Sequence, residues 1–295
     1  MNRIKTPAGE KAGKIIIYVV LTMFALVTLY PLIYIVSMSF SSSRAILSGE
    51  VKLLPVEANV EAYTNIIKSG QIFTAMKNTL IVTIIGTGLN MIFTIMAAYP
   101  LSKSRLMFKR VITWLVMFTM MFSGGMVPAF ILVKLLGLVD TFWALWLPPL
   151  ISVYNMIILR TFFQGLPQSL EEAAAIDGAN ELYILFKIVL PLSKSVLATI
   201  GLFYAVGFWN NYMDAMIYLS DSNKFTLMVR LRQMLANMSD QLLTSSGEGT
   251  ANSSSITPEA VKAASIVVST LPIMCVYPFL QKYFVKGVMI GSVKG

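Results

Sequence analysis

Long uninterrupted apolar runs are the feature that most limits what this 295-residue chain can fold into. Each run reaches the roughly 20 residues that a helix needs to cross a bilayer. The runs are continuous rather than alternating, which argues against the strands of a membrane barrel. Inside lipid a backbone must satisfy its own hydrogen bonds, so helices remain. We therefore predict an all-α integral membrane protein with six transmembrane helices, at residues 15–40, 79–101, 111–136, 141–164, 192–219 and 261–284.

The composition supports this class and excludes several kinds of site. The chain is 56% hydrophobic and 13% charged, whereas a soluble domain carries about a quarter charged residues. Histidine is absent and Cys275 is the single cysteine, so an internal disulfide and metal sites with cysteine or histidine ligands are excluded. The net charge of +9 is interpreted as a mark of cytoplasmic loops rather than of nucleic-acid binding.

Basic residues also predict the orientation of the chain in its membrane. The link at 102–110 carries Lys103, Arg105, Lys109 and Arg110, and both ends of the chain are basic. In a six-span arrangement these segments share one side, so both termini are predicted to be cytoplasmic. The first run is longer than a signal-peptide core and is interpreted as a retained span. The predicted organisation is a cytoplasmic N-terminus (1–14), a first span (15–40), an extracytoplasmic segment (41–72), a transmembrane core (73–284) and a cytoplasmic tail (285–295).

Two polar segments interrupt the apolar pattern. Residues 236–259 are rich in Ser, Gly, Asn and Thr and predict an outer loop, either a linker or a docking element. The stretch "LEEAAAIDGANELY" at 170–183 is predicted to be cytoplasmic and helical, with acidic residues in its first turn. Gly178 is expected to end this helix. A second short helix is expected from about Leu182 to Val189, with Pro191 opening the fifth span.

The spacing within this stretch resembles a known motif. Glu172-Ala173-Ala174, then Gly178 after three residues, then "IVLP" ending at Pro191 after nine more, is similar to the EAA motif of permease subunits in binding-protein-dependent ABC importers. Ser195 departs from the proline found there in many relatives. Flanking stretches such as "FSGGMVPAFILVKLLGLVDTFWALWLP" resemble carbohydrate permeases, namely the maltose-permease-like second subunit and a branch that handles oligosaccharides or polysaccharide fragments. The resemblance implies the type I ABC importer permease fold, with residues 73–284 as the ABC transmembrane permease core. It also implies a multi-pass location in a bacterial inner or plasma membrane.

The resemblance also implies partners and a coupling site. The EAA loop, residues 165–191, would form coupling helices seated in a cleft of an ATP-binding subunit, with Glu172 facing a basic residue there. Expected partners are a homologous second permease subunit, two ATP-binding subunits, an extracytoplasmic sugar-binding protein and membrane lipid. The chain has no G-x-x-x-x-G-K-[ST] motif, so ATP and Mg are assigned to the partner ATPase, and no cofactor or catalytic role is expected here. The predicted coupling residues are Glu171, Glu172, Ala173, Ala174, Asp177 and Gly178.

The fifth predicted span carries a polar face. Polar groups recur there at 3–4 residue intervals, from Gly207 to Tyr218, and such groups at membrane depth face protein or a watery cavity. Packing through interhelical hydrogen bonds and contact with a sugar both remain open. A bend is also expected in the third span at Pro128. The candidate substrate-path residues are Trp209, Asn210, Asn211, Tyr212 and Asp214.

These features together predict a permease subunit of an ABC importer. It would form half of the translocation path for an oligosaccharide or polysaccharide fragment. An ABC permease for a non-sugar solute is one alternative, because the EAA motif does not name the cargo. An ion-driven secondary sugar transporter is another, but the internal repeats and paired intramembrane charges of such proteins are not evident.

Overall fold

The computed structural model describes residues 8–234, 236 and 257–292, and every regular element within them is helical. The all-α prediction is therefore confirmed, and the loop predicted at 236–259 lies almost wholly outside the described residues. A π-helical turn at Leu185–Val189 and a 3-10 turn at Ser222–Lys224 accompany the α-helices. The helices are α1 Ala8–Ser39, α2 Ser43–Leu47, α3 Glu61–Ser69, α4 Gln71–Ser102, α5 Lys109–Met121, α6 Met126–Leu135, α7 Trp143–Trp146, α8 Val153–Gln164, α9 Gln168–Ile176, α10 Glu181–Ile184, α11 Leu190–Leu192, α12 Lys194–Trp209, α13 Met213–Tyr218, α14 over 227–234 and α15 Pro258–Ser292.

Three described helices are long and apolar enough to cross a membrane unaided, and five spans result if each sharply bent helix pair counts as one. The predicted single helix over 141–164 is wrong. Pro148 and Pro149 fall between α7 and α8, where a proline removes a backbone donor and restrains the residue before it. With 12 residues, α8 extends only about 18 Å, well short of a hydrocarbon core of about 30 Å.

The third predicted span is broken, as expected, but the break precedes the proline. Helices α5 and α6 meet at 110° across the residues between Met121 and Met126. Pro128 lies in the first turn of α6, where its missing N–H would have no intrahelical partner in any case. Gly125, with φ of +85°, adopts the backbone conformation that starts the new helix.

The chain divides into two compact units, Met1–Gly70 with Gln233–Leu271, and Gln71–Arg232 with Pro272–Gly295. In the first unit, the predicted extracytoplasmic segment is ordered by α2 and α3. Ser42 caps α2 by accepting from the Ala45 N–H at 3.2 Å, and its hydroxyl also bonds Glu57 Oε2 at 2.6 Å. The Tyr63 hydroxyl donates to Ser39 Oγ at 2.8 Å. These bonds fold the segment back onto the end of α1.

The second unit is built on α4, α8 and α12, which pack against one another. Gly86 lets α4 and α12 approach closely, because a Cβ at this position would lie 2.6 Å from the Phe208 ring. One buried cluster joins the C-terminal end of α4 to α8, the EAA loop and α12, through residues such as Ala98, Leu159 and Ile200. Another, around Val82 and Trp146, lies toward the N-terminal end of α4. Each cluster supports one of the two candidate sites.

Candidate coupling surface and transport cavity

The EAA loop contains two short helices joined by a sharp turn, as the sequence predicted. Helix α9 ends at Ile176, and Gly178 then adopts the left-handed conformation with φ of +82°. The Gly178 N–H donates to Ala175 O at 3.1 Å and the Ala179 N–H to Ala174 O at 2.9 Å. This is the paired hydrogen-bond pattern of a Schellman cap, which satisfies carbonyls at the helix end. The left-handed backbone conformation therefore explains why a glycine occupies position 178.

The second short helix begins one residue earlier than predicted. The Asn180 side chain accepts from the Tyr183 N–H at 2.8 Å and caps α10, which starts at Glu181. The sequence analysis missed this cap, although asparagine before a helix is a recognised signal. The fifth span begins at Lys194 rather than at Pro191, and α12 turns by 83° from the preceding helix.

One side of the EAA loop is anchored to the protein core. Ile184, Leu185 and Val189 are buried in the cluster that contains Leu159 and Phe163 of α8. Ala174 is partly buried against the same cluster, whereas Ala173 is exposed. The two alanines therefore do not form one outward-facing surface.

The other side of the loop is exposed and apolar. Ile176 is 86% exposed, and Leu182, Tyr183 and Phe186 are each more than half exposed. Several large apolar side chains exposed within one short loop favour a contact with another molecule. We call these four residues the outer face of the EAA loop.

Ion pairs connect the EAA loop to the basic link that follows α4. Lys103 pairs with Glu171, and Arg105 pairs with Glu181. The Tyr99 hydroxyl donates to Glu181 Oε2 at 2.9 Å, and the Lys103 ammonium lies 4.2 Å from the centroid of the Tyr99 ring. We call this group of five residues the brace. Sequence reasoning used the basic link only for orientation, although its charge opposes that of the acidic loop.

The predicted coupling carboxylates are placed in different surroundings. Glu171 is held within the brace, while Glu172 is exposed and forms no ion pair with any residue that the structure describes. Asp177 is exposed at the end of α9. A groove of about 360 Å³ lies between the basic link and α9, and Glu171 and Glu172 both line it.

A larger cavity, of about 640 Å³, lies where the fifth predicted span is interrupted. Helix α12 ends at Trp209 and α13 begins at Met213, so the expected single polar face of a continuous helix is wrong. The Asn210 amide nitrogen donates to Val206 O at 3.0 Å, and the Asn211 amide nitrogen donates to Asp214 Oδ2 at 3.0 Å. The Asn211 Oδ1 also accepts from the Asp214 N–H at 3.2 Å, so this side chain satisfies a backbone donor in the first turn of α13.

Four of the five candidate substrate-path residues line this cavity: Asn210, Asn211, Tyr212 and Asp214. Trp209 does not line it; its side chain is buried and its Nε1 has no partner among the described residues. The cavity also brings in two residues that sequence reasoning missed, Asn90 of α4 and Asn155 of α8.

Asn90 contributes a buried polar side chain to the wall of the cavity. Its side chain is 1% exposed, and its amide nitrogen donates to Pro149 O at 2.8 Å. Its Oδ1 has no partner in the described residues, which is costly for a buried acceptor unless water or a ligand supplies a donor. The signal that could have found it is an asparagine within an otherwise apolar run.

A polar clamp joins the turn after α6 to the residues that follow α13. Asp140, in the turn after α6, has φ of +60°. Its Oδ1 accepts from the Ser220 and Asp221 N–H groups at 3.0 and 2.9 Å, and its Oδ2 accepts from Lys224 Nζ at 2.8 Å. The Lys224 hydrogen bond, followed by the two backbone N–H groups, lowers the pKa of Asp140 from 3.8 to about 2. The same contact raises the pKa of Lys224.

Comparison with known proteins places this geometry in a family. Residues 90–290 match the model of the binding-protein-dependent transport system inner membrane component. The chain belongs to that family. It is therefore an inner-membrane permease subunit rather than a catalyst, and its transport complex includes an ATPase, which binds the ATP, and a binding protein.

Individual relatives cover this permease almost end to end. It is 46% identical to the polygalacturonan/rhamnogalacturonan transport system permease protein YtcP of Bacillus subtilis, over 95% of this chain and 97% of the relative. It is 41% identical to Protein LplC of the same organism, over the full length of both. A chain in the crystal structure of a bacterial ABC transporter involved in the import of the acidic polysaccharide alginate aligns with a TM-score of 0.85 and 37% identity, covering 96% of this permease and 100% of that chain.

Proposed function

We propose that this permease forms half of the translocation path for an oligosaccharide or polysaccharide fragment and transmits ATPase movement through its EAA loop. The other half would come from a homologous permease subunit, above two ATP-binding subunits. An extracytoplasmic sugar-binding protein would deliver the cargo, and both termini would be cytoplasmic. The carbohydrate assignment is supported by relatives named for polygalacturonan and rhamnogalacturonan transport and by the alginate importer.

The two-sided EAA loop is the observation that carries the coupling role. Its inner side is fixed to α8 and α12 by buried side chains, so a push on the loop would reach the spanning helices. Its outer face presents Ile176, Leu182 and Phe186 to a partner. Glu172 lies on α9, the helix that ends at Ile176, and forms no ion pair with any described residue. A charge-assisted hydrogen bond from Glu172 to a basic ATPase residue would contribute about 1.5–3 kcal/mol.

The cavity supports the translocation role. Its 640 Å³ falls within the roughly 300–1,000 Å³ typical of small-ligand sites. Asparagine amides can donate to and accept from sugar hydroxyls, and four asparagines line the cavity: Asn90, Asn155, Asn210 and Asn211. Tyr212 and Phe203 add aromatic surface. Asn210 and Asn211 also bond within their own segment, so the packing role remains an outcome of the test.

Disulfide cross-linking tests the coupling role. Ile176→Cys is paired with cysteines around the ATPase cleft, in a Cys275→Ala background because Cys275 is exposed. We expect cross-linking at Ile176 that changes when ATP is added. Ala174→Cys is the matched control, since its partly buried side chain points to the core and should cross-link poorly. An assembled complex in which no Ile176 pair cross-links would rule out the coupling role.

Substitution of Asn211 tests the path. Asn211→Ala should lower uptake of labelled galacturonide or neutral oligosaccharides more than it lowers basal ATP hydrolysis. Asn211→Ser is the control, because a serine oxygen can still accept from the Asp214 N–H that Asn211 Oδ1 accepts now, at 3.2 Å. If Asn211→Ala lowers sugar uptake and basal ATP hydrolysis equally, the result favours a packing role for Asn211 over contact with the sugar. If a non-sugar solute competes for uptake and no sugar does, the carbohydrate assignment is refuted.

A further inference from the structure

A third pocket lies at the N-terminal end of α5, beside the groove between the basic link and α9, with which it shares Lys109. It measures about 310 Å³ and is lined by Lys109, Arg110, Thr113, Trp114 and Arg160. Three of the five lining residues are cationic and none is acidic. Lys109 and Arg160 are half-buried, and Arg110 is exposed. We call this the basic pocket. Three cations at one membrane-protein surface repel one another unless an anion joins them.

The protein itself supplies no such anion within the part of the chain that the structure describes. Lys109 Nζ donates to the carbonyls of Ser102 and Lys103 at 3.1 and 3.0 Å, and Arg160 Nε donates to Leu101 O at 3.2 Å. All three acceptors are neutral. No described carboxylate forms an ion pair with Lys109, Arg110 or Arg160, in contrast to Lys103 and Arg105 nearby. The guanidinium of Arg160 keeps four further N–H donors.

The surroundings of the basic pocket are those of a bilayer edge. Arg110 and Trp114 are four residues apart on α5, so they lie on one helical face. Trp114 is 66% exposed, and tryptophan is enriched where hydrocarbon meets headgroups. Beyond it, Leu115 and Phe118 continue as exposed apolar surface along the helix. A ligand bound here would meet cations at one end and hydrocarbon-compatible side chains at the other.

We propose that the basic pocket binds the phosphate headgroup of an anionic phospholipid, with the acyl chains lying along α5. A free phosphate would use the cations but not the apolar surface that continues from them. Basic pockets between membrane helices are suited to anionic headgroups. Helices α5 and α6 together are long and apolar enough for one bent membrane span, and the choice of the cytoplasmic leaflet rests on the proposed orientation.

Lipid titration of the purified full-length chain tests this site. Native mass spectrometry would count bound dioleoylphosphatidylglycerol and, separately, dioleoylphosphatidylcholine, which has the same acyl chains. We expect tighter binding of the anionic lipid. Removal of each cation should weaken binding of the anionic lipid by roughly fivefold, so the affinity of R110Q/R160Q for it should fall more than tenfold. K68Q/K134Q is the matched control, because it removes the same charge from exposed residues outside the pocket.

Three outcomes decide the proposal. The proposal is supported if R110Q/R160Q loses affinity for the anionic lipid while K68Q/K134Q keeps the wild-type affinity. Equal anionic-lipid affinity in wild type and R110Q/R160Q would overturn it, and so would full displacement by millimolar inorganic phosphate, which would make this a free-anion site. If R110Q/R160Q fails to fold, R110Q alone, at an exposed position, carries the same expectation of a roughly fivefold loss. The assay needs no transport, so it is independent of the sugar assignment.

Discussion

Reversing one charge of the brace is expected to uncouple the EAA loop from the rest of the permease. Lys103→Glu would place two carboxylates together beside Tyr99. The Lys103 and Glu171 side chains are 15% and 26% exposed, between the fully buried pairs whose disruption costs 3–5 kcal/mol and exposed pairs worth under 1 kcal/mol. We expect a cost of about 2 kcal/mol, which is roughly a 30-fold fall in the population of the anchored loop.

The assay is ATP hydrolysis by the reconstituted transporter, with and without loaded binding protein. Lys103→Glu and Glu171→Lys should each lower the stimulated rate relative to the basal rate, and the double swap K103E/E171K should restore much of it. The control is R44E/E57R, which swaps a pair whose side chains are 77% and 50% exposed. This variant also loses the Ser42–Glu57 hydrogen bond, but the pair lies outside the EAA loop, so the ratio of stimulated to basal rate should stay the same. Full stimulation in Lys103→Glu, or failure of the swap to rescue a folded complex, would refute the reasoning.

Further predictions concern single positions. Gly178→Ala should lower the thermal-unfolding midpoint by the equivalent of about 1–2 kcal/mol and Gly178→Asn by less, because the Cβ meets open space and only the left-handed backbone resists it. Asp140→Asn should lower the midpoint at pH 7; since the folded pKa of Asp140 is about 2, below its ordinary 3.8, this difference should shrink as pH falls through that window. Gly86→Ala should cost about 1–3 kcal/mol by overpacking against Phe208, and Phe208→Leu should partly relieve it in the double variant. Detergent thermal-shift measurements check all three.

The EAA loop was predictable because its determinants are local. Acidic residues in a first turn, an alanine run and Gly178 act through nearby backbone hydrogen bonds, and α9 has the expected form. Its ion-pair partners were not predictable in the same way. Lys103 lies 68 positions from Glu171, and the sequence alone does not state which distant charges meet.

The broken spans show that hydropathy does not predict where an apolar helix is interrupted. Residues 141–164 are apolar enough for a span, but hydropathy does not register that two prolines remove backbone donors in succession. The break at Asn210 carries no proline, and the sequence predicted a continuous helix there. The last two residues of α12, Phe208 and Trp209, are buried, and the residues that follow line a cavity whose walls also come from α4 and α8. These contacts join distant parts of the chain, so the local sequence does not show them.

The π-helical turn at Leu185–Val189 has a consequence for how this chain tolerates changes in length. The Leu190 N–H donates to Leu185 O, five residues back, so the turn holds one residue more than an α-helical turn would. Deleting a single residue here could restore ordinary α-helical spacing with little loss of buried surface. Because the turn holds that residue in excess, its removal should leave the helices on either side in nearly the same orientation. Deleting one residue from α9, a regular α-helix, would instead rotate the residues on one side of the deletion by about 100° relative to the other side. The loop should therefore accept a shorter chain at the π-helical turn and not within α9.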